Sequence, residues 1–178
     1  METREEFDFV NFVKSRKSVK NFIFQKIDNE LIKDILECGR WAPSQSNNQP
    51  WKVNTVVHPT LKRMLADLTV EGGIIENAYV NLVIFLDLER SNNRLIDIQA
   101  IGALMQNILL GVHSKKLGAM VLSDIIKNKD GVNEIFKLDA KQYDLMGVIA
   151  VGVIDEQMEE KFKKPRERRF IEDFSESF

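Results

Sequence analysis

Apolar residues recur at helical spacing in some stretches of this chain and run or alternate as strands in others, and the two patterns take turns along its length. Phe7, Phe9, Val10, Phe12 and Val13 predict a short helix with apolar residues on more than one side. A second subunit packed against that helix would explain the excess. Ile27-Asp28-Asn29-Glu30-Leu31-Ile32 has the marks of a helix start: Asp28 can accept from free N–H groups, Ile27 and Ile32 can staple the first turn, and Glu30 suits the positive end of the dipole. This helix is expected to run to about Trp41 on a stripe of Leu31, Ile32, Ile35, Leu36 and Cys38, with Gly39 weakening its end. Val53, Thr55, Val56 and Val57 predict a strand, and Pro59 at a first helical position opens a helix carrying Leu61, Met64, Leu65 and Leu68. Gly72-Gly73 is expected to break the chain.

Tyr79 to Leu88 is a near-continuous apolar run rich in strand formers, which predicts a central strand covered on both faces. Asn93 to Lys116 is the longest helical pattern, and its small residues Ala100, Gly102 and Ala103 admit another helix closely. It is the candidate core helix and a main dimer contact. Gly118 to Leu122 as a strand, Asp130 to Leu138 as a helix and Leu145 to Ile154 as a last strand complete an α/β or α+β sandwich.

Composition narrows the class. With 178 residues the chain is expected to form one domain, 1–178, able to bury about two thirds of its unfolded surface, with 156–178 a charged C-terminal tail. A net charge of −2 gives no global attraction to nucleic acid. Cys38 is the only cysteine, which excludes an intramolecular disulfide and a cysteine-based zinc cluster and fits a cytoplasmic setting. The opening Glu2, Arg4, Glu5 and Glu6 do not read as a secretory signal. Asp97, Gln99, Gln106 and Asn107 interrupt the apolar stretch from Leu95 to Val112, so that stretch reads as a buried helix rather than a membrane span. A Rossmann domain is disfavoured, because the sequence holds no Gly-x-Gly-x-x-Gly. His113 reads as a complement to a helix dipole when protonated, and His58 as structural or merely exposed.

Two polar stretches carry the candidate chemistry. Ala42-Pro43-Ser44-Gln45-Ser46-Asn47-Asn48-Gln49-Pro50-Trp51 lies between a helical and a strand pattern, and its prolines stop it from continuing either. Its hydroxyls and amides can hydrogen-bond a flat polar heterocycle, or cap their own backbone in a surface turn. Ser15-Arg16-Lys17-Ser18-Val19-Lys20-Asn21-Phe22 is the second, a basic loop or short extended piece. Near the C-terminus Lys161, Lys163, Lys164, Arg166, Arg168 and Arg169 cluster, which on its own reads as a solvated or polyanion-binding arm.

Together, the two stretches resemble the nitroreductase family of flavoproteins. There an Arg-x-Ser-x-Arg/Lys segment is followed by Ala-Pro-Ser-x-x-Asn-x-Gln-Pro-Trp, and the similarity continues here through Asp97 to Leu110, Leu117 to Asp124 and Lys164-Pro165-Arg166. The resemblance implies an α+β fold, a nitroreductase-like α/β sandwich with a central mixed β-sheet flanked by helices and a long core helix at the interface of a homodimer with shared active sites. It implies FMN as cofactor and NADH or NADPH as a transient hydride donor. Arg16, Lys17 and Ser18 would lie along the phosphate and ribityl side, Lys20 at the pyrimidine edge, and Lys164 and Arg166 over the phosphate. Pro43, Ser44, Gln45 and Asn47 would meet the flavin across the dimer interface, and the backbone of Leu122, Ser123 and Asp124 would approach flavin N5.

No catalytic side chain is implied, since the cofactor carries the chemistry: ping-pong hydride transfer to a nitroaromatic, quinone or similar small acceptor. Ser123-Asp124 stands where many relatives have Gly-Gly, and a negative Asp124 facing the ring would oppose anionic ligands. Between Leu68 and Tyr79, where larger members carry an Asn and a Lys against the flavin, the nearest polar residues are Glu71, Glu76 and Asn77, with no lysine, so those contacts are not carried over, and a segment this short for a substrate lid implies an open pocket. Another redox reaction on the same fold and cofactor (dehalogenase or flavin-dependent oxidase), a non-catalytic flavin-binding protein and a nucleic-acid-binding arm are the alternatives.

Overall fold

The structure, a computed structural model, describes residues 7–161 and 166–177. Among these the elements run α1 (Phe9–Ser15), β1 (Phe22–Ile23), α2 (Asn29–Arg40), β2 (Trp51–Val56), α3 (Pro59–Ala66), α4 (Gly72–Asn77), β3 (Val80–Asp87), α5 (Arg94–Ser114), β4 (Gly118–Leu122), α6 (Lys129–Phe136), β5 (Tyr143–Ile154) and α7 (Glu156–Lys161). Short 3-10 turns cover Gln45–Asn47, Asp124–Asn128 and Ile171–Asp173. The helix starts follow their capping chemistry. Asp28 accepts from Glu30 N–H, Asn93 from Leu95 and Ile96, and His58 from Thr60 ahead of Pro59.

The sheet is built on β5, which pairs with β3 along one edge from Tyr143 to Val151 and with β4 from Val148 to Gly152. β2 extends the sheet beyond β3, and β1 pairs with the last two residues of β5. Among the described residues every strand pairing is antiparallel, which corrects the mixed sheet expected above. The two-residue alternation of β3 and β5 divides the core. Leu82, Ile84, Leu86, Ile149 and Val151 face Ile32, Ile35, Ile101, Leu104 and Ile108 of α2 and α5. Val83, Phe85, Val148 and Ala150 face Leu65, Ile75 and Val132 of α3, α4 and α6. Apolar side chains pointing both ways are what made the β3 run continuous.

Two local expectations fail. Gly72-Gly73 does not break the chain but opens α4, and a Cβ on Gly72 would stand 2.5 Å from the Ala66 carbonyl oxygen. The glycine is there for a close approach of backbone to backbone. Val57, expected in the strand, lies just past the end of β2 and is exposed.

α5 has the length and hydropathy of a membrane span, yet Ala100, Ile101, Leu104, Ile108 and Val112 are buried against the sheet and α2. Its Asp97 is fully buried and accepts from Ser91 Oγ at 2.7 Å. Gly102, by contrast, faces away from the rest of its own chain.

Candidate functional site

The basic segment after α1 is laid across the end of the sheet by two glycines. A Cβ on Gly118 would come within 2.7 Å of Val19, and one on Gly152 within 2.7 Å of the Phe22 ring. Because neither strand has a side chain there, Val19 and Phe22 lie down on β4 and β5, and Val19 N–H donates to Ala119 C=O at 2.9 Å. Val19 is buried and Lys20 exposed, while Arg16 and Lys17 are half-buried.

Three arginines meet at one end of this segment. Burial, and then the positive charges of Arg166 and Arg168, hold the Arg16 guanidinium below its ordinary pKa. Arg166 reaches the same place by donating to Lys14 C=O at 3.3 Å. A cavity of about 70 Å³ lies beside them, lined by Arg16, Lys17, Val19, His113 and neighbours. Like charges gathered in one spot repel, and an anion of high charge is the ligand that relieves them.

His113 belongs to the same corner. Its Nε2 lies 2.8 Å from Ser15 Oγ, and its ring is 4.9 Å from that of Phe12. Burial and the Arg16 charge lower its pKa against a weaker upward pull from Phe12 C=O, which disfavours the protonated form that would complement the helix dipole.

At the far end of the segment Lys20 Nζ pairs with the Glu71 carboxylate. Glu159 of α7 fixes the main chain between the two ends. One of its oxygens accepts from Lys20 N–H at 3.1 Å, Asn21 N–H at 3.2 Å and Asn21 Nδ2 at 3.0 Å, and the other is 3.4 Å from Lys17 Nζ. The tail is therefore not purely a solvated arm, since its first helix turns a carboxylate onto this segment. Ser18 is exposed. Lys164 lies outside the described residues.

Leu122 is buried at the end of β4, and Ser123 is exposed just beyond it. Asp124 is occupied: it accepts from Thr69 Oγ1 at 2.7 Å and Val70 N–H at 3.0 Å through one oxygen. Burial pushes this carboxyl up, but those bonds and its local backbone bonds outweigh burial and hold it below the ordinary range. The residues that fix Lys20 and this turn, Glu71, Thr69 and Glu159, are distant in sequence and carry no local motif.

The amide-rich loop is a strained turn. Ser46, Asn47 and Gln49 all have positive φ, of 50°, 56° and 51°. Asn adopts that region readily, whereas Ser and Gln need support. Ser44 supplies it, its hydroxyl accepting from Gln49 N–H at 3.0 Å and its carbonyl from Asn47 N–H at 3.1 Å. Pro43, Gln45 and Asn47 are exposed, and the buried Nδ2 of Asn48 has no partner.

The loop stands apart from the arginines of its own chain. α2 runs against α5 with Asp34 paired to Lys115 and Gly39 abutting Ile108 and Leu104, so the loop that follows α2 meets α5 further towards its start. From Leu104 to His113 the helix axis advances about 14 Å. Along the last turns of α5, beside His113, lies an apolar depression of about 630 Å³, lined by Phe7, Phe9, Phe12, Cys38 and Leu110 among others. Of these, Phe7 and Phe9 are more than half exposed.

Known proteins share this architecture. A nitroreductase candidate from Desulfovibrio desulfuricans, solved in complex with FMN, superposes with a TM-score of 0.88 at 30% identity, covering 97% of this chain and 99% of its own. A candidate NAD(P)H nitroreductase of Bacillus subtilis is 27% identical over 91% of this chain and 92% of its own length. A candidate NADH dehydrogenase/NAD(P)H nitroreductase of Methanothermobacter thermautotrophicus is 26% identical over 75% of this chain and 69% of its own. The model of the nitroreductase family matches residues 13–153, a span that holds the basic segment, the strained loop and the Ser123-Asp124 turn, and the chain belongs to that family of oxidoreductases.

Proposed function

We propose that this protein is an FMN-dependent NAD(P)H oxidoreductase acting as a homodimer, each flavin held by the Arg16–Lys20 segment of one copy and the Pro43–Asn47 loop of the other. The observation that carries this reading is the convergence of Arg16, Arg166 and Arg168 from the two ends of the chain, with the Arg16 pKa lowered by burial first and by its like-charged neighbours second. A flavin phosphate, with nearly two negative charges, suits that corner. The strained loop and the orphan Asn48 Nδ2 suit the edge of a polar ring supplied from outside the chain.

When bound, FMN supplies the two-electron carrier, accepting hydride from NADH or NADPH and passing it to a small acceptor such as a nitroaromatic or quinone. The protein's part is orientation and electrostatics. Arg16 and Arg166 grip phosphate oxygens with paired donors, Lys164 adds a point charge, and Ser18 and Lys17 line the path away from them. Lys20 offers a cation to the pyrimidine edge, where negative charge collects on reduction. Leu122 and Ser123 would offer backbone to the flavin ring, and Pro43, Ser44, Gln45 and Asn47 of the second copy would meet it across the interface. A single half-buried cysteine and a nicotinamide donor fit a cytoplasmic setting.

The test is an absorption spectrum and a solution mass, followed by steady-state oxidation of NADH and NADPH with a quinone. A yellow protein of twice 20.5 kDa that oxidises a nicotinamide is expected. A colourless protein that takes up no FMN overturns the reading. A yellow protein reduced by neither nicotinamide keeps the cofactor and moves the reaction to another redox chemistry.

A further inference from the structure

Lys20 is not a free cation in this fold. Its ammonium is engaged by Glu71, and both partners are pinned from behind. Glu71 N–H donates to Thr69 Oγ1 at 3.3 Å, and the Thr69 hydroxyl donates to Asp124 at 2.7 Å. The same Asp124 oxygen takes Val70 N–H, so the loop preceding α4 is tied to the turn at the end of β4. On the other side, Glu159 holds Lys20 by its backbone N–H at 3.1 Å and thereby leaves only the side chain free to choose a partner. The Glu71 side chain is 32% exposed and that of Lys20 53%, a pair at the rim of the site rather than in open water.

An ammonium bound by a carboxylate is held in place by it and has fewer of its three donors left to offer another acceptor. A carboxylate that holds Lys20 thus weakens the stabilisation this lysine gives to an anionic reduced ring. Resting on the flavin reading above, we infer that Glu71 is a positioning residue for Lys20 that lowers the midpoint potential of the bound flavin. Asp124 and Thr69 serve it by fixing the loop that carries the carboxylate. This gives Asp124 a task in place of the backbone freedom that glycine would bring.

The experiment measures the midpoint potential of FMN-loaded wild type, Glu71→Gln, Lys20→Met and the double variant against a reference dye, after flavin absorbance shows each to be loaded. Glu71→Gln is expected to raise the potential by about 30 mV, a tenfold change in the two-electron equilibrium. Lys20→Met is expected to lower it. In the Lys20→Met background the Glu71→Gln shift should shrink to less than half, since the carboxylate has no ammonium left to hold. An unchanged potential in Glu71→Gln overturns this inference and leaves the flavin reading standing. A shift of equal size in both backgrounds also overturns it, because Glu71 then acts on the ring directly. Failure of the wild type to take up FMN overturns the functional reading and this inference together.

Discussion

His113 illustrates how one side chain reports on a whole corner of the molecule. It is pressed between Phe12, Ser15 and Arg16, and burial first and the arginine second favour its neutral form. Its folded pKa lies below the ordinary 6.5, so between those two values the unfolded chain binds the extra proton. The stability His113 contributes is therefore complete above about pH 6.5 and declines as pH falls through the lowered folded value. Thermal melts of the FMN-free protein are expected to show a lower Tm on moving down from about pH 6.5, and His113→Gln should flatten that limb. FMN should flatten it too, because a phosphate beside Arg16 offsets the charge that opposes protonation. A melting profile in His113→Gln as steep as in the wild type would assign the slope to other groups.

The glycines under the basic segment belong to the next scale. Val19 sits where a Gly118 side chain would be, so Gly118→Ala must push either Val19 or β4 aside. Overpacking of this kind costs about 1–3 kcal/mol. Since Val19 lies between Arg16 and Lys20, part of that cost is expected to appear as weaker FMN binding, about tenfold in Kd for 1.4 kcal/mol, with the circular dichroism spectrum unchanged. Titration of the variant with FMN checks this, and an unaltered Kd would free the segment from dependence on its glycine shelf.

Most of the elements were legible before the fold was seen, because caps and periodicity are local: Asp28, Asn93 and Pro59 open their helices where expected, and β3 is central. Gly72 misled because a glycine needed for backbone approach to Ala66 looks the same in sequence as one that breaks a chain. Arg16, Lys20 and the loop from Pro43 were visible as motifs. The Lys20–Glu71 pair joins residues 51 apart, and Glu159 reaches Asn21 across 138, separations at which no periodicity survives. Such contacts become readable only when β5 has brought both ends of the chain to one edge of the sheet.

At the scale of the whole molecule the decisive fact is that the arginine corner and the strained loop meet different stretches of α5. On the proposed reading one chain presents half a site at each place, and the exposed Phe7 and Phe9 line the depression beside His113. A twofold dimer of the kind proposed would place each half opposite its complement in the other copy. The arrangement makes a prediction that a site within one chain cannot match. Arg16→Ala and Asn47→Ala should each impair FMN binding alone. After the two variants are unfolded and refolded together, about half of the dimers contain one of each. Every such heterodimer carries one site with both substitutions and one with neither, so about a quarter of all sites should regain wild-type affinity. Flavin stoichiometry in the mixture, compared with each variant refolded alone, measures this. Recovery of none would mean that Arg16 and Asn47 serve the same site from the same chain, or different sites altogether, and the two-copy site would be lost.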